Sequence, residues 1–544
     1  MGWHFNNYRG AKDITFRASF GFVKSYNSRE SIERFLSDES NAFVAKLETV
    51  KVVYYPETEE DIVEIMQTAN RKGLKVTVSG GGTGLTGSRV PIGGGIIVSM
   101  ERMLKARPRK GCREMVHSNP AGETRIYYDE DLEVAHVAPG ISINELAVAL
   151  PRGMMYPPDP TETAAFLGGT VATNASGARC FFYGPTRNWI RGLRIVLPDG
   201  QVAEIVRGKI AADAAGSIAF KSLAGKAYKL NIPGYRMPHV KNAAGLYSEP
   251  SMDLIDLFIG CEGLLGIISE VTLRLAKAEK EPASVLAFFS IETNALAYAD
   301  GLRSRKDAGV LSVEYFDAHA LDFIRPEFPE LKKRLEGAVM SEVKAESIEL
   351  LAEIMGLLKE HHAAEDWCAL TASDRRDMKE FRHSLPDAVN SYLKQHDSYK
   401  IGTDFVVPEG KFREMMAKYR EAGDRFRARF TRPGVHHVLF GHIGDCHLHF
   451  NFITASDEER AYAKELYLEL ARAAISLGGT ISGEHGVGKK ILTVDGKTVP
   501  YLELMYGMKG LEEIARVKRE LDPNWLLNVG NMVPGEYAGL HKGS

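Results

Sequence analysis

The sequence predicts a mixed chain of helices and strands, folded as two or three domains, with the main division near residues 276–283. Three observations predict it. At 544 residues and 60.1 kDa the chain is too long for one ordinary core. A strand–helix–strand pattern opens at Val50 and leads into a glycine-rich region running to about Leu275. From Pro282 glycine thins out and long charged helical stretches take over.

Residues 1–45 read as an N-terminal extension, with a short helix at Ser28–Phe35 and Ser28 as its N-cap. Residues 1–20 hold His4, Arg9, Lys12, Asp13 and Arg17 and no apolar core, so no signal peptide is expected. No apolar run approaches the roughly eighteen residues of a spanning helix. The expected location is cytoplasmic, and peripheral contact with the inner membrane is compatible with it. Val50–Tyr55 reads as a strand closed by Pro56. Thr58 then caps a helix over Glu59–Lys72, with Ile62, Ile65, Met66 and Ala69 on one face. Strands follow at Leu74–Val78 and Gly95–Ser99. In the second half, Glu330–Glu360 and Pro408–Arg429 read as helices.

A formal charge of −3 argues against nucleic acid as a partner. The five cysteines, at 112, 180, 261, 368 and 446, are too scattered for a zinc ribbon or an iron–sulfur cluster and suit a reducing compartment.

Three groups of motifs carry chemistry. Ser79-Gly-Gly-Gly-Thr-Gly-Leu-Thr-Gly87 directly follows an apolar strand. Successive backbone N–H groups in such a loop make a nest for an anion such as a pyrophosphate. The loop is neither a Walker A sequence nor a Gly-x-Gly-x-x-Gly helix opening. From Gly168 to Ala178 almost every residue is small, which leaves room for something flat to pack there, or for tight helix–sheet packing. Leu257–Glu270 again mixes glycine with an apolar run.

The third group is Gly441-His-Ile-Gly-Asp-Cys-His-Leu-His-Phe-Asn451 with Ser482-Gly-Glu-His-Gly-Val-Gly-Lys489. Two imidazoles and a carboxylate suffice for a divalent cation with positions left open. A 2-hydroxy carboxylate can chelate such an ion, which lowers the hydroxyl pKa for a neighbouring base. His447 and His449 would share a strand face and could be structural instead; two separated His/Glu clusters favour a site. His436 and His437 read as ordinary. Arg382 offers a planar fork for a carboxylate, although among Arg375, Arg376 and Lys379 it also reads as a surface arginine.

These blocks, in this order, resemble the FAD-binding domain of the vanillyl-alcohol oxidase / p-cresol methylhydroxylase superfamily over about Val50–Leu275. The later ones resemble the FAD-linked D-2-hydroxy acid dehydrogenases of the D-lactate, glycolate and D-2-hydroxyglutarate types. The resemblance implies an α+β fold. A two-subdomain FAD-binding domain of the PCMH type would span residues 46–277, and a substrate (cap) domain of antiparallel sheet plus helices residues 278–544. It implies that Ser79, Gly80, Gly81, Gly82, Thr83 and Gly84 hold phosphates. Pro139, Gly140, Asp159, Gly169, Thr173, Asn174, Ser176, Gly177 and Ile268 would line the cofactor. Gly80–Ser88 contains no His, Cys or Tyr, so the FAD is expected to be non-covalent, and Cys180 reads as a small buried residue. By the same resemblance His442, His449 and Glu484 would bind a divalent metal (zinc, manganese or iron), and His485 would be the base. Asn451 would face the substrate, and Arg382 and Lys400 would hold its carboxylate. The expected reaction is oxidation of a D-lactate-like 2-hydroxy acid, with electrons passed to a quinone or an electron-transfer protein, in a homodimer by family habit.

The chain departs from the family pattern at three places. Cys446-His447 stands for Gly-Asn. Leu527-Asn-Val-Gly-Asn531 stands for a block that commonly holds Asn-Pro-Gly-Lys. Pro386 stands for a hydroxyl residue of the hydroxyglutarate type, which turns the expectation toward lactate or glycolate. Two rival readings are a non-redox transferase of the alkylglycerone-phosphate synthase type, which carries a run of histidines where this chain has Glu484-His485, and a flavin subunit that delivers electrons within a complex.

Overall fold

Thr58 starts the first long helix as its sequence requires. Its side chain accepts from the Asp61 N–H while Asp61 caps back, and Gly73 ends the helix in the left-handed region (φ 62°). This helix, Glu59–Lys72, turns Ile62, Ile65, Met66 and Ala69 into a core beneath a four-stranded sheet. The sheet order is Lys24–Tyr26, Val50–Tyr55, Gly95–Ser99, Val76–Ser79, with the last three parallel. The molecule is described here from a computed structural model covering residues 23–538, except 41, 120, 121, 279, 281, 333, 345, 346, 370 and 495. The charged segment at residues 1–20, and with it the expectation about a signal peptide, lies outside the described residues.

A second, antiparallel sheet of six strands follows, in the order Val202–Val206, Ile190–Val196, Ile267–Arg274, Val134–Val137, Gly122–Asp129, Arg113–Asn119. The third sheet is also antiparallel, in the order Glu365–Ala369, Ala283–Phe289, Gly337–Val343, Val310–Asp317, His437–His442, His447–Thr454, Tyr399–Gly402. Phe405–Val406 also pairs with His447–Thr454. Helices cover both faces. Val285, Ala287 and Phe289 pack in the large core with the helices Glu292–Arg303 and Ile348–Glu360. Leu286 and Phe288 pack on the opposite face with Ala318–Ile324 and Ala372–Gln395. A strand covered on both sides reads as a continuous apolar run, and every residue of Ala283–Phe289 is buried.

The helix expected over Glu330–Glu360 is corrected. Gly337–Val343 is an inner strand of the third sheet, and only Ile348–Glu360 is helical. The run Ala338-Val-Met340 is buried on consecutive positions, which suits an inner strand covered on both faces. Lys400 lies within the edge strand Tyr399–Gly402.

The C-terminal segment returns to the first sheet. Leu527 bridges Val76 and joins its core, and the Asn528 side chain accepts from the Val78 N–H at 2.9 Å. Next to it the end of the second histidine motif clamps the glycine loop. Glu262 accepts from the Val487 and Gly488 N–H groups, both at 2.7 Å, and from the Ser88 hydroxyl. The Lys489 ammonium donates to the Gly87 and Ser88 carbonyls, both at 3.0 Å, and to Asn531 at 2.6 Å.

Candidate active site

The hairpin Gly441–Asn451 supplies three imidazoles because of its register. His442 pairs directly with His447, and Phe440 pairs with His449. Alternation along a strand puts His447, His449 and Asn451 on one face. The same parity carries Glu314 and Glu342 to that face, since Phe316 pairs with Phe440 and Ser312 with Glu342. The helix Ala372–Gln395 covers this face and brings Arg382 over it.

The tight turn between the two strands has Cys446 at its end, in the left-handed region (φ 54°) where the family pattern has glycine. Its thiol is turned away from the imidazoles, against the Arg303 guanidinium at 3.3 Å. Burial raises its pKa to about 12, so it stays a neutral thiol.

Glu484 reaches the hairpin from a loop. That loop bridges Val406 at Thr480, and the Gly483 N–H donates to the Asp404 carbonyl at 2.8 Å. A Cβ on Gly483 would fall 2.6 Å from Val406 Cγ2 and 3.0 Å from the His447 ring. Gly483→Ala is therefore expected to cost about 1–3 kcal/mol by overpacking and to lift the loop off the imidazoles; thermal melting and metal content check it.

Glu484 Oε1 lies 3.4 Å from both His442 Nε2 and His449 Nε2 and 3.7 Å from His485 Nε2. Its Oε2 accepts from the buried Lys241 ammonium at 2.6 Å. Each imidazole of the hairpin has its other nitrogen engaged on the outside. His442 Nδ1 meets Glu314 at 2.6 Å, His449 Nδ1 meets the Thr403 carbonyl at 3.3 Å, and His447 Nε2 meets Asp404 at 2.8 Å. Asp404 also accepts from the Ser482 hydroxyl at 2.8 Å and the His485 N–H at 3.0 Å, so it sets the whole loop.

The electrostatics follow from burial and these partners. Burial alone would raise the Glu314 carboxyl, but His442 and Arg382 outweigh it and hold it at about 2. Burial opposes charge on His442, yet Glu314 and Glu484 raise it to about 9. Burial, with Lys241 nearby, lowers His447 to about 3. Glu484 is held well below the usual carboxylate range by Lys241 and the imidazoles, against the cost of its burial. Burial also lowers His485, although Asp404 and Glu484 pull the other way.

This donor set fits a divalent cation. One nitrogen each of His442, His447 and His449 and a Glu484 oxygen lie within 4.8 Å of one another. Outward hydrogen bonds that leave one imidazole nitrogen facing inward are the arrangement metal-binding histidines adopt.

Beside this centre, the Arg382 guanidinium is 3.7 Å from Glu314, longer than a hydrogen bond. Arg179 pairs with Glu342 at 2.8 Å, and its N–H donates to Asp159 at 3.1 Å. Burial raises the Asp159 carboxyl to about 6, against the pull of Arg179 and Arg382. Lys400 lies on the outer strand opposite Ile453, with its side chain exposed. Asn451 sits between it and the imidazoles, opposite Gly402, whose missing Cβ would fall 2.4 Å from Asn451 Oδ1.

The two glycine clusters of the first half meet. A Cβ on Gly80 would sit 3.8 Å from Gly169 Cα, whereas one on Gly84 or Gly169 would meet nothing within 4 Å. The Ser176 hydroxyl is buried with no hydrogen-bond partner. These features fit a ligand held between the clusters. Gly140 and Gly177 lack side chains for a reason of packing: a Cβ would fall 2.1 Å from the Met100 carbonyl and 1.9 Å from that of Asp159. Asn174 caps the helix Leu167–Thr173 in the left-handed region, and its side chain accepts from the Arg187 N–H. Thr173 donates back to the Gly169 carbonyl, and Ser79 to that of Gly80. Pro139 packs on Gly168, Ile268 is partly buried in the second sheet, and Gly81, Gly82 and Thr83 continue the loop. The Arg89 guanidinium lies against Gly82.

Reading the sequence missed Glu314, Glu342, Asp404, Lys241 and Arg179. Glu314 and Glu342 did leave a signal: each is a carboxylate inside a largely apolar strand.

Comparisons with known proteins agree with this layout. The FAD binding domain family matches residues 50–120 and 121–205, and the family of FAD linked oxidases, C-terminal domain, matches residues 278–532. A D-lactate dehydrogenase of Anaerostipes hadrus is 28% identical, with 92% of each chain covered. A D-lactate dehydrogenase of Archaeoglobus fulgidus is 26% identical over 89% of this chain and 91% of its own. The glycolate oxidase subunit GlcD of Bacillus subtilis is 25% identical over 88% of each. A solved alkyldihydroxyacetonephosphate synthase shares the fold, with a TM-score of 0.58 at 16% identity over 88% of this chain and 76% of its own.

Proposed function

The chain belongs to the FAD-linked oxidases and is an oxidoreductase of the D-lactate dehydrogenase type, and on that premise we propose that it oxidises a small D-2-hydroxy acid to the 2-oxo acid. The observation that carries the reading is the convergence of His442, His449, Glu484 and His485 on one face of the third sheet, with Arg382 beside them. FAD, when bound between the glycine clusters, supplies the hydride acceptor, and a divalent ion supplies a Lewis acid. The protein does the rest. Arg382, with Lys400 at the outer strand, receives the substrate carboxylate as a charge-assisted pair. Asn451 shares the strand face of His447 and His449 and orients the substrate. His485 is held neutral near pH 7 and takes the hydroxyl proton. The second electron acceptor is a quinone or an electron-transfer protein. Among the described residues no helix is long and apolar enough to cross a membrane.

The test is anaerobic mixing of the purified flavoprotein with D-lactate, L-lactate, glycolate and D-2-hydroxyglutarate, followed at the visible flavin band. D-lactate is expected to bleach it fastest and L-lactate to leave it unchanged. A flavin that none of the D-acids or glycolate reduces overturns the proposal.

A further inference from the structure

His447 occupies a place where the family pattern has asparagine. Its ring is completely buried, Nε2 is taken by Asp404 at 2.8 Å, and Nδ1 is buried with no hydrogen-bond partner. A buried imidazole nitrogen left unpaired is costly, so its environment needs an account. Nδ1 points toward Glu484, 3.8 Å from its Oε2, and His447 offers a nitrogen to the same 4.8 Å group as His442, His449 and Glu484. The hydrogen bond to Asp404 fixes the tautomer: Nε2–H donates outward and the Nδ1 lone pair faces inward. His442 and His449 show the same division with the two nitrogens exchanged.

We propose that His447 is a fourth protein ligand, giving the divalent ion three imidazoles and one carboxylate. The inference rests on the metal reading above. It has a consequence for the ion. Four protein donors fill a tetrahedral site and leave zinc in its preferred geometry with no place for substrate. In a six-coordinate ion they leave two positions, the number a 2-hydroxy carboxylate needs to chelate. The centre is therefore one for a six-coordinate cation such as manganese or iron.

The experiment loads the metal-depleted holoflavoprotein with cobalt(II) and follows two signals apart from turnover: affinity by chelator competition, and the visible d–d spectrum. His447→Asn, which restores the family residue, is expected to weaken cobalt binding by about ten- to a hundredfold or more, since even an outer-shell loss costs that much, and to shift the d–d bands. Unchanged affinity and spectrum in His447→Asn overturn the fourth ligand and leave the three-ligand centre standing. A wild-type protein that binds no divalent ion removes the metal reading and this inference together. X-ray absorption on the cobalt-loaded wild type settles the count without any substitution: three imidazoles support the proposal and two overturn it, even if His447→Asn fails to fold.

Discussion

Stripping the divalent ion from the protein with a chelator is expected to lower turnover by about a thousandfold, and re-adding a divalent ion is expected to restore it. A bound ion brings the pKa of a coordinated water from 15.7 to about 7, an effect worth several kcal/mol at a developing oxyanion. About 4 kcal/mol of that corresponds to a thousandfold in rate. Chelation is a cleaner probe than substitution of Glu484. That carboxylate also neutralises Lys241, and both side chains are nearly buried. Glu484→Ala would leave the buried ammonium with only Asp445, 3.9 Å away, at a cost of up to about 3–5 kcal/mol, so activity and stability would fall together. Flavin reduction by D-lactate, measured before chelation, after it and after reloading, decides the matter. A metal-free preparation with full activity would end the metal reading.

His485→Ala is expected to lower turnover by about 10²- to 10⁴-fold, the usual contribution of a positioned general base, with the flavin retained. His485 is held by the Asp404 carboxylate on its backbone N–H and lies stacked on His449, with ring centroids 5.4 Å apart. Its pKa is lowered from 6.5 by burial. The base is therefore unprotonated at neutral pH, and activity should be lost only as pH falls below the ordinary histidine range. The same shift acts on stability. Between the lowered value and 6.5 the unfolded chain binds the proton and the folded chain does not, so this group adds stability as pH rises through that window. Rates of flavin reduction against pH, for wild type and His485→Ala, check both claims. A variant that keeps the wild-type rate and the wild-type acid limb would sink the assignment.

Local signals in the sequence carried the parts of the fold that are decided locally. The capping box at Thr58, the apolar stripe of Glu59–Lys72 and the glycine loop after Val76–Ser79 all depend on neighbours within a few residues. What escaped was decided by contacts far along the chain. Glu314 meets His442 across 128 positions, and Lys241 meets Glu484 across 243. Nothing in a window of ordinary length marks such a pair. Gly337–Val343 reads as part of a helix because an inner strand covered on both faces loses the alternation that identifies strands. Arg382 had the opposite problem. Its charged neighbours made it look solvated, and only the helix Ala372–Gln395 lying over the histidine face brings it beside the imidazoles.

The clamp between the two halves bears on how the proposed flavin and metal sites would be ordered. Glu484 and His485 are followed within four residues by Val487, Gly488 and Lys489, which grip Ser88, Gly87 and Glu262. The segment that presents the carboxylate to the imidazoles is thus the same segment that braces the glycine loop Ser79–Gly87. Ordering one end lowers the entropy still to be lost at the other. If both ligands bind as proposed, reciprocity makes any promotion of one by the other equal in the two directions.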